Sequence, residues 1–372
     1  MFALLFTVLM QISTATADSS AQRQQELRGI WVTRWTYSSE SEVQQIMTDV
    51  AAAGFNTVYF QVRGQHDAFY SSSIEPWAVE LTGALGKDPG WDPLQTAVDA
   101  GHTLGLQVHA YINAFTLWRG VKAPTESRPG HAWSTDGDWV TADADGMPMT
   151  LNEGYVYASP GNPAVRSRLA EVAADIASRY KVDGIHLDHI RYPGPEYGHD
   201  LESLAAWESE GQPDFSDWRR AKVNAAVQAV QAKVQVPVSA AVWGVYTNTW
   251  AWPEVSEGRN AYFQDSAAFT REGLVDALIP MIYWKVNPGG RLDFAALVQD
   301  HVSRANGRHV YAGIRADPAW GVGPVVEAIK AARAGGANGV VLFEYSEAKP
   351  IFEALKTTVF QAPADPPGMD WR

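Results

Sequence analysis

Short, nearly unbroken apolar runs recur along the chain, each separated from the next by a longer stretch of mixed character. The runs are Arg28–Thr33, Asn56–Val62, Leu106–Ile112, Val182–Asp188, Val236–Trp243, Val275–Trp284, His309–Ile314 and Gly339–Tyr345. Continuous apolar character marks strands covered on both faces, as in a parallel sheet. Between them, Ser41–Ala53, Asp92–Leu104, Asn162–Tyr180, Ser216–Val234, Asp293–Ala305 and Pro324–Ala334 carry apolar residues at helical spacing. Single strands alternating with helices imply parallel pairing through right-handed crossovers. Eight such units predict an α/β fold that closes into a (β/α)8 TIM barrel. An open doubly wound sheet is the alternative, but no Gly-rich phosphate turn follows any of the runs.

Three helix-to-strand junctions share one pattern: Gly54-Phe55-Asn56, Gly105-Leu106-Gln107 and Gly273-Leu274-Val275. A glycine there is the expected left-handed helix cap and carries no catalytic weight. The long segments all follow strands: 63–91, 113–161, 189–215 and 244–273. In a barrel these β→α loops gather on the C-terminal face, where barrel active sites are built. One domain is expected over residues 26–358, followed by an irregular tail over 359–372. At the other end, Phe2–Met10 is an apolar stretch and Ala15-Thr16-Ala17 fits a small-residue cleavage site, so residues 1–17 read as a signal peptide. Residues 18–25 then form a short polar leader, and the product is exported, periplasmic or extracellular. The apolar stretch is too short to span a bilayer.

Composition narrows the partners. The 372 residues are 46% hydrophobic, ample for one large core, and the formal net charge is −13. No Lys/Arg stripe interrupts that acidity, which argues against nucleic acid. There is no cysteine, so neither a disulfide nor an N-terminal lipid thioether is available. The 15 Trp are a heavy load. Many fall at strand ends or in the loops beyond, among them Trp35, Trp243 and Trp284, where they can stack on sugar rings or pin the loops to the rim. A polysaccharide is the expected partner, with no cofactor and no metal.

Candidate chemistry centres on Val182–Asp188. Strand alternation turns Ile185 and Leu187 toward the helices and Gly184, His186 and Asp188 toward the barrel interior. Asp188 then ends its strand facing the mouth, where a carboxylate is costly unless paired or functional; a bridge to Arg63 or Arg191 is the structural reading. Tyr59, Gln61 and Arg63 form a second polar stripe that runs into Asp67, and His109, Tyr111 and Asn113 form a third. Either histidine, His109 or His186, fits a core role as well as a binding one. Glycoside hydrolysis uses two carboxyl groups. Partners open to Asp188 are Asp67, Glu75, Glu254, Asp265 and Glu344, of which Glu75, Asp265 and Glu344 lead. Arg63, Asp67, His109, Tyr111, Asn113, His186, Arg191, Trp243, Tyr283 and Trp284 are candidate substrate-binding residues. Two other classes stay open: a sugar-binding barrel without turnover, and a metal-dependent hydrolase suggested by His186-Leu187-Asp188-His189. The second lacks a His-x-His pair on the first strand.

The ordered stretches Leu27–Thr33, Asp67–Tyr70, Glu75-Pro76-Trp77, Leu81-Thr82-Gly83, Lys87–Leu94, Val108–Asn113, Val182–Asp188 with Arg191-Tyr192-Pro193, and Val275–Trp284 resemble the glycosyl hydrolase-like 10 family. The resemblance runs over about residues 26–350. It implies a (β/α)8 glycosidase of the bacterial envelope that hydrolyses peptidoglycan glycan strands of N-acetylglucosamine and N-acetylmuramic acid; another exported polysaccharide is the alternative substrate. It further implies that Asp188 is the strand-four aspartate and that Arg63, Asp67, Glu75, His109 and Asn113 belong to pocket-forming stretches. The chain departs from the family pattern in two places: it has no cysteine for a lipid, and Ala114 follows Asn113 where Pro is common.

Overall fold

The computed structural model describes residues 24–372. The expected signal peptide and residues 18–23 of the expected leader lie outside them. Eight parallel strands close into a barrel in sequence order. They are β1 (Leu27–Val32), β2 (Thr57–Arg63), β3 (Gln107–Asn113), β4 (Gly184–Asp188), β5 (Val238–Trp243), β6 (Ala277–Met281), β7 (His309–Arg315) and β8 (Gly339–Phe343). β8 pairs with β1 to close the ring. A helix follows each: α1 (Glu40–Ala52), α2 (Pro93–Thr103), α3 (Pro163–Arg179), α4 (Phe215–Gln231), α5 (Ser266–Arg271), α6 (Phe294–Arg304), α7 (Val322–Ala334) and α8 (Phe352–Thr358).

Local chemistry starts these helices where they start. Ser39 and Glu42 cap α1 reciprocally. Asp92, Asn162, Asp214, Asp265 and Asp293 each accept a first-turn amide at the head of α2, α3, α4, α5 and α6. Each such cap satisfies a donor the helix cannot. Gly54, Gly105 and Gly273 have φ of 87°, 75° and 68°, the left-handed turns expected between helix and strand.

The core has two compartments. Ile30, Val58, Ile112, Ile185 and Leu187 pack outward against the helices. Leu27, Trp31, Tyr59, Tyr111, Ile279 and Tyr311 fill the barrel itself. The interior is unusually aromatic, and glycines make room for it. A Cβ on Gly184 would lie 2.3 Å from the His109 ring, and one on Gly29 2.9 Å from Tyr59.

Below the barrel, Glu26 accepts from Arg28 at 2.7 Å and from Arg333 at 2.6 Å. The first and last described segments meet there. Residues 359–372 cross the floor, where Ala364–Asp365 pairs in parallel with Gln24–Gln25. Trp371 donates to Asp276 at 2.9 Å, and Arg372 also binds that carboxylate. Among the described residues, no helix is long and apolar enough to cross a membrane.

Candidate active site

β3 and β4 lie side by side with His109 opposite Gly184, Tyr111 opposite His186, and Asn113 opposite Asp188. These pairs set three levels, from the middle of the barrel to its mouth. Asp188 is on the top level. Its Oδ2 accepts from the Tyr111 hydroxyl at 2.6 Å, and its Oδ1 from the His189 amide at 2.6 Å. Arg191 approaches Oδ1 at 3.4 Å, and the Asp188 side chain keeps 11% of its surface open. Burial alone would push this carboxyl up. The opposing pull of His189, Arg191, the Tyr111 phenol and the His189 amide holds it at about 2. Burial depresses the His189 imidazole to about 4, so at neutral pH the ring is uncharged. Arg191 and the two hydrogen bonds then keep Asp188 ionised.

His189 is held at φ 48°, a backbone region that few non-glycine residues occupy and that concentrates at functional sites. Its Nδ1 lies 2.5 Å from the Tyr157 hydroxyl, and its ring lies 5.3 Å from that of Tyr155. Both tyrosines come from a hairpin, Thr116–Gly120 with Asn152–Tyr157, that rises after β3. Trp243, at the end of β5, lies under the Arg191 guanidinium at 5.6 Å. Tyr283 is half-buried, and burial together with the Asp188 charge raises its phenol well above the usual range. Trp284 is half-buried near Gly244, whose Cβ would meet its ring at 2.9 Å. Asp188, Tyr111, Arg191, Trp243 and Tyr283 are thus gathered at one mouth.

Other candidates are engaged elsewhere. Glu75 is 1% exposed and Arg63 is buried. The guanidinium grips both Glu75 oxygens, at 2.7 and 2.6 Å, and donates its remaining nitrogen to the Asn113 and Ala114 carbonyls. Neither group is left to face a sugar; the pair ties the second loop to β3. Asp67 is buried and accepts the Gly64 and Gln65 amides, and Asn113 bonds Gln61 and the Gly64 carbonyl. These four shape the loop wall, not the cleft surface.

His186 lies one level below Asp188. Its Nε2 accepts from the Trp31 indole at 2.9 Å, which places the proton on Nδ1, toward Ser239 at 3.0 Å. Burial depresses its pKa to about 3, so it is a neutral core residue. His109, lower still and depressed by burial to about 4, packs 5.1 Å from Tyr59. His186 is hydrogen-bonded at both nitrogens within the core, whereas His109 is buried there with neither ring nitrogen bonded. With both His186 nitrogens engaged, the His186–Asp188–His189 stretch is not a ligand set, and among the described residues no group of three His, Asp or Glu could hold a metal.

Asp265 caps α5 and accepts from Tyr246 at 2.7 Å. Glu344 ends β8 at the mouth. Its Oε1 caps the short helix Tyr345–Ala348, and Thr36 reaches Oε2 at 3.4 Å. Glu80 is a carboxyl that sequence reasoning passed over. It lies 3.3 Å from the buried Arg34, and burial, reinforced by the charge of Asp67, pushes it up to about 7 against the pull of Arg34. His189, Tyr155 and Tyr157 were missed as well. His189 directly follows Asp188, and the alternation Tyr155-Val156-Tyr157 signals a strand inside a long loop. A surface groove of about 720 Å³ lies away from this mouth, between α1 and α2 past Trp91 and Asp99.

The family model for glycosyl hydrolase-like 10 matches residues 26–319. Glycosyl hydrolase DigH of Escherichia coli (strain K12) is 29% identical over 338 residues, 80% of this chain and 74% of its own. Glycosyl hydrolase YngK of Bacillus subtilis (strain 168) is 28% identical over 294 residues, 72% of this chain but 56% of its own, so this chain spans little more than half of that relative. Among solved structures, the PgaB (BpsB) glycoside hydrolase domain from Bordetella bronchiseptica superposes with a TM-score of 0.59 at 14% identity, covering 90% of this chain and 98% of that domain. The catalytic domain of β-amylase from Paenibacillus polymyxa gives 0.62 at 13% identity, covering 91% and 99%. At such identities these two establish the shared barrel and nothing finer.

Proposed function

The chain belongs to the glycosyl hydrolase-like 10 family, which makes it a glycoside hydrolase by class; we propose that it cleaves glycosidic bonds in a bacterial envelope polysaccharide, foremost the glycan strands of peptidoglycan. The observation that carries this reading is the state of Asp188: an ionised carboxylate at the C-terminal end of β4, hydrogen-bonded by Tyr111 and still partly open. A carboxylate so placed stabilises positive charge at an anomeric carbon, or attacks it. Arg191 and Tyr283 stand beside it to orient substituents, and Trp243 offers an aromatic wall. The proton for the leaving oxygen comes from a second carboxyl on the rim, and Glu344 and Glu80 are the candidates we put forward. The exported location expected from Met1–Ala17 agrees with an envelope substrate.

Asp188→Asn should lower product release from purified, peptide-free glycan strands by at least about a thousandfold, with melting almost unchanged. An Asp188→Asn protein of wild-type activity would remove the assignment. Wild-type protein that binds the strands without releasing any fragment, read by mass spectrometry, would replace hydrolysis with sugar binding. Glu344→Gln and Glu80→Gln, assayed across pH, identify the acid: its loss abolishes the basic limb of the profile.

A further inference from the structure

Next to the Asp188 mouth lies a cationic, aromatic patch, of which Arg34 alone pairs with a group put forward for hydrolysis, Glu80. Trp35, three residues past β1, is 55% exposed, unusual for an indole. Arg34 lies over its ring at 4.3 Å and Arg119 at 5.5 Å. Arg119 belongs to the hairpin and faces Tyr155 across it, with its guanidinium 6.0 Å from that ring. Tyr155 in turn packs on His189, whose amide holds Asp188. The patch and the carboxylate are therefore joined through two side chains.

The two arginines are in different situations. Arg34 is 1% exposed, and none of its three guanidinium nitrogens has a hydrogen-bond acceptor. Its charge is spent on the buried Asp67 and Glu80. Arg119 is exposed. Its Nε donates to the Glu153 carbonyl at 3.0 Å, and among the described residues no carboxylate lies within ion-pair distance of it. Among the described residues its two terminal nitrogens make no hydrogen bond. Nearby acids do not cancel it. Asp67 accepts two backbone amides and feels the Arg34 charge, and Glu80 is pushed up to about 7, so it is about half neutral at neutral pH. An uncompensated guanidinium beside an open indole is an anomaly in a chain of net charge −13.

We propose that Trp35 and Arg119 form a subsite for a sugar ring that bears a carboxylate, adjacent to the ring cleaved at Asp188. The indole packs on the C–H face of the ring, and the two terminal nitrogens of Arg119 take both carboxylate oxygens, the geometry a guanidinium provides and an ammonium does not. The ligand chemistry is a carboxylated pyranose, either the lactyl ether of a muramic acid or a uronic acid. This rests on the reading of the mouth as a glycan cleft.

The test compares cleavage of peptide-free glycan strands with that of the same strands after their carboxyl groups are reduced to alcohols. A polyuronate oligosaccharide and chitin oligomers complete the set. Wild-type protein should favour the carboxylated strands over the reduced ones by about tenfold. Arg119→Gln should bring that ratio close to one, and Arg119→Lys should retain part of it, which a purely structural role would not predict. Cleavage of the muramic strands but not the polyuronate assigns the lactyl group; the reverse assigns the uronate. Equal cleavage of carboxylated and reduced strands by the wild type, or an unchanged ratio in Arg119→Gln, overturns the subsite and leaves hydrolysis standing. Binding by Asp188→Asn protein, measured calorimetrically, separates the two ideas. Carboxylate-dependent binding with no wild-type turnover sinks hydrolysis alone, and no binding to any of the glycans sinks both.

Discussion

Glu75 and Asp188 are both buried carboxylates beside an arginine near the C-terminal ends of barrel strands, and the arginines hold them differently. Arg63 spends every nitrogen: two on Glu75, at 2.7 and 2.6 Å, and one on two carbonyls. Arg191 reaches Asp188 only at 3.4 Å, and the tighter contacts to that carboxylate are a phenol and an amide. The first carboxylate has both oxygens bonded to one guanidinium and is 1% exposed. The second keeps an exposed edge at the barrel mouth. A buried acid paired with an arginine therefore marks nothing by itself; what separates a tie from a site is whether the surroundings use up the charge. The floor repeats the closed pattern in Glu26, held by Arg28 and Arg333, and in Asp276, held by Trp371 and Arg372.

The sharpest way to break this comparison is to remove each charge in turn and read stability. Glu75→Gln leaves Arg63 buried and uncompensated, so it should cost about 3–5 kcal/mol in denaturant unfolding. Asp188→Asn should change stability by less than about 1 kcal/mol, since Arg191 was only loosely held. Equal losses in the two variants would make Asp188 a tie like Glu75. A smaller effect is expected at the floor. Deleting Trp371 and Arg372 should cost about 1–3 kcal/mol and leave kcat as it was, because no residue of the mouth touches them. A drop in kcat larger than the unfolded fraction explains would mean that floor and rim are coupled.

The barrel was legible because its information is periodic. All eight apolar runs became strands within a few residues, and alternation correctly turned His186 and Asp188 inward. The candidate site was legible only in part. Asp188 could be found because it ends a strand, but sequence position says nothing of what spends a charge. Arg63 and Glu75 are twelve residues apart and read as cleft residues, yet a loop folds one onto the other. Likewise, nothing in the spacing shows that the Asn152–Tyr157 strand folds back to set Tyr157 on His189, some thirty residues away. Loop closure, unlike strand alternation, has no period to read.

The smallest expected effect probes the hydrogen bond that distinguishes Asp188 from the closed carboxylates. Asp188 is depressed to about 2, so its working anionic form is present throughout the range above that value and is lost only as pH falls through it. The acidic limb of the activity profile due to this group should therefore lie near the limit of protein stability, with activity flat down to about pH 3–4. Tyr111→Phe removes a bond that favours the anion, which moves the Asp188 pKa up and the acidic limb with it, while kcat at neutral pH falls by only a few fold. Tyr283→Phe is the control. Tyr283 feels the Asp188 charge but makes no hydrogen bond to it, so the limb should stay put. If both variants shift the limb alike, the cause is general desolvation of the mouth and not the Tyr111 hydroxyl. If neither does, the acidic limb belongs to another group, and the electrostatic distinction between Asp188 and Glu75 must rest on Arg191 and the His189 amide.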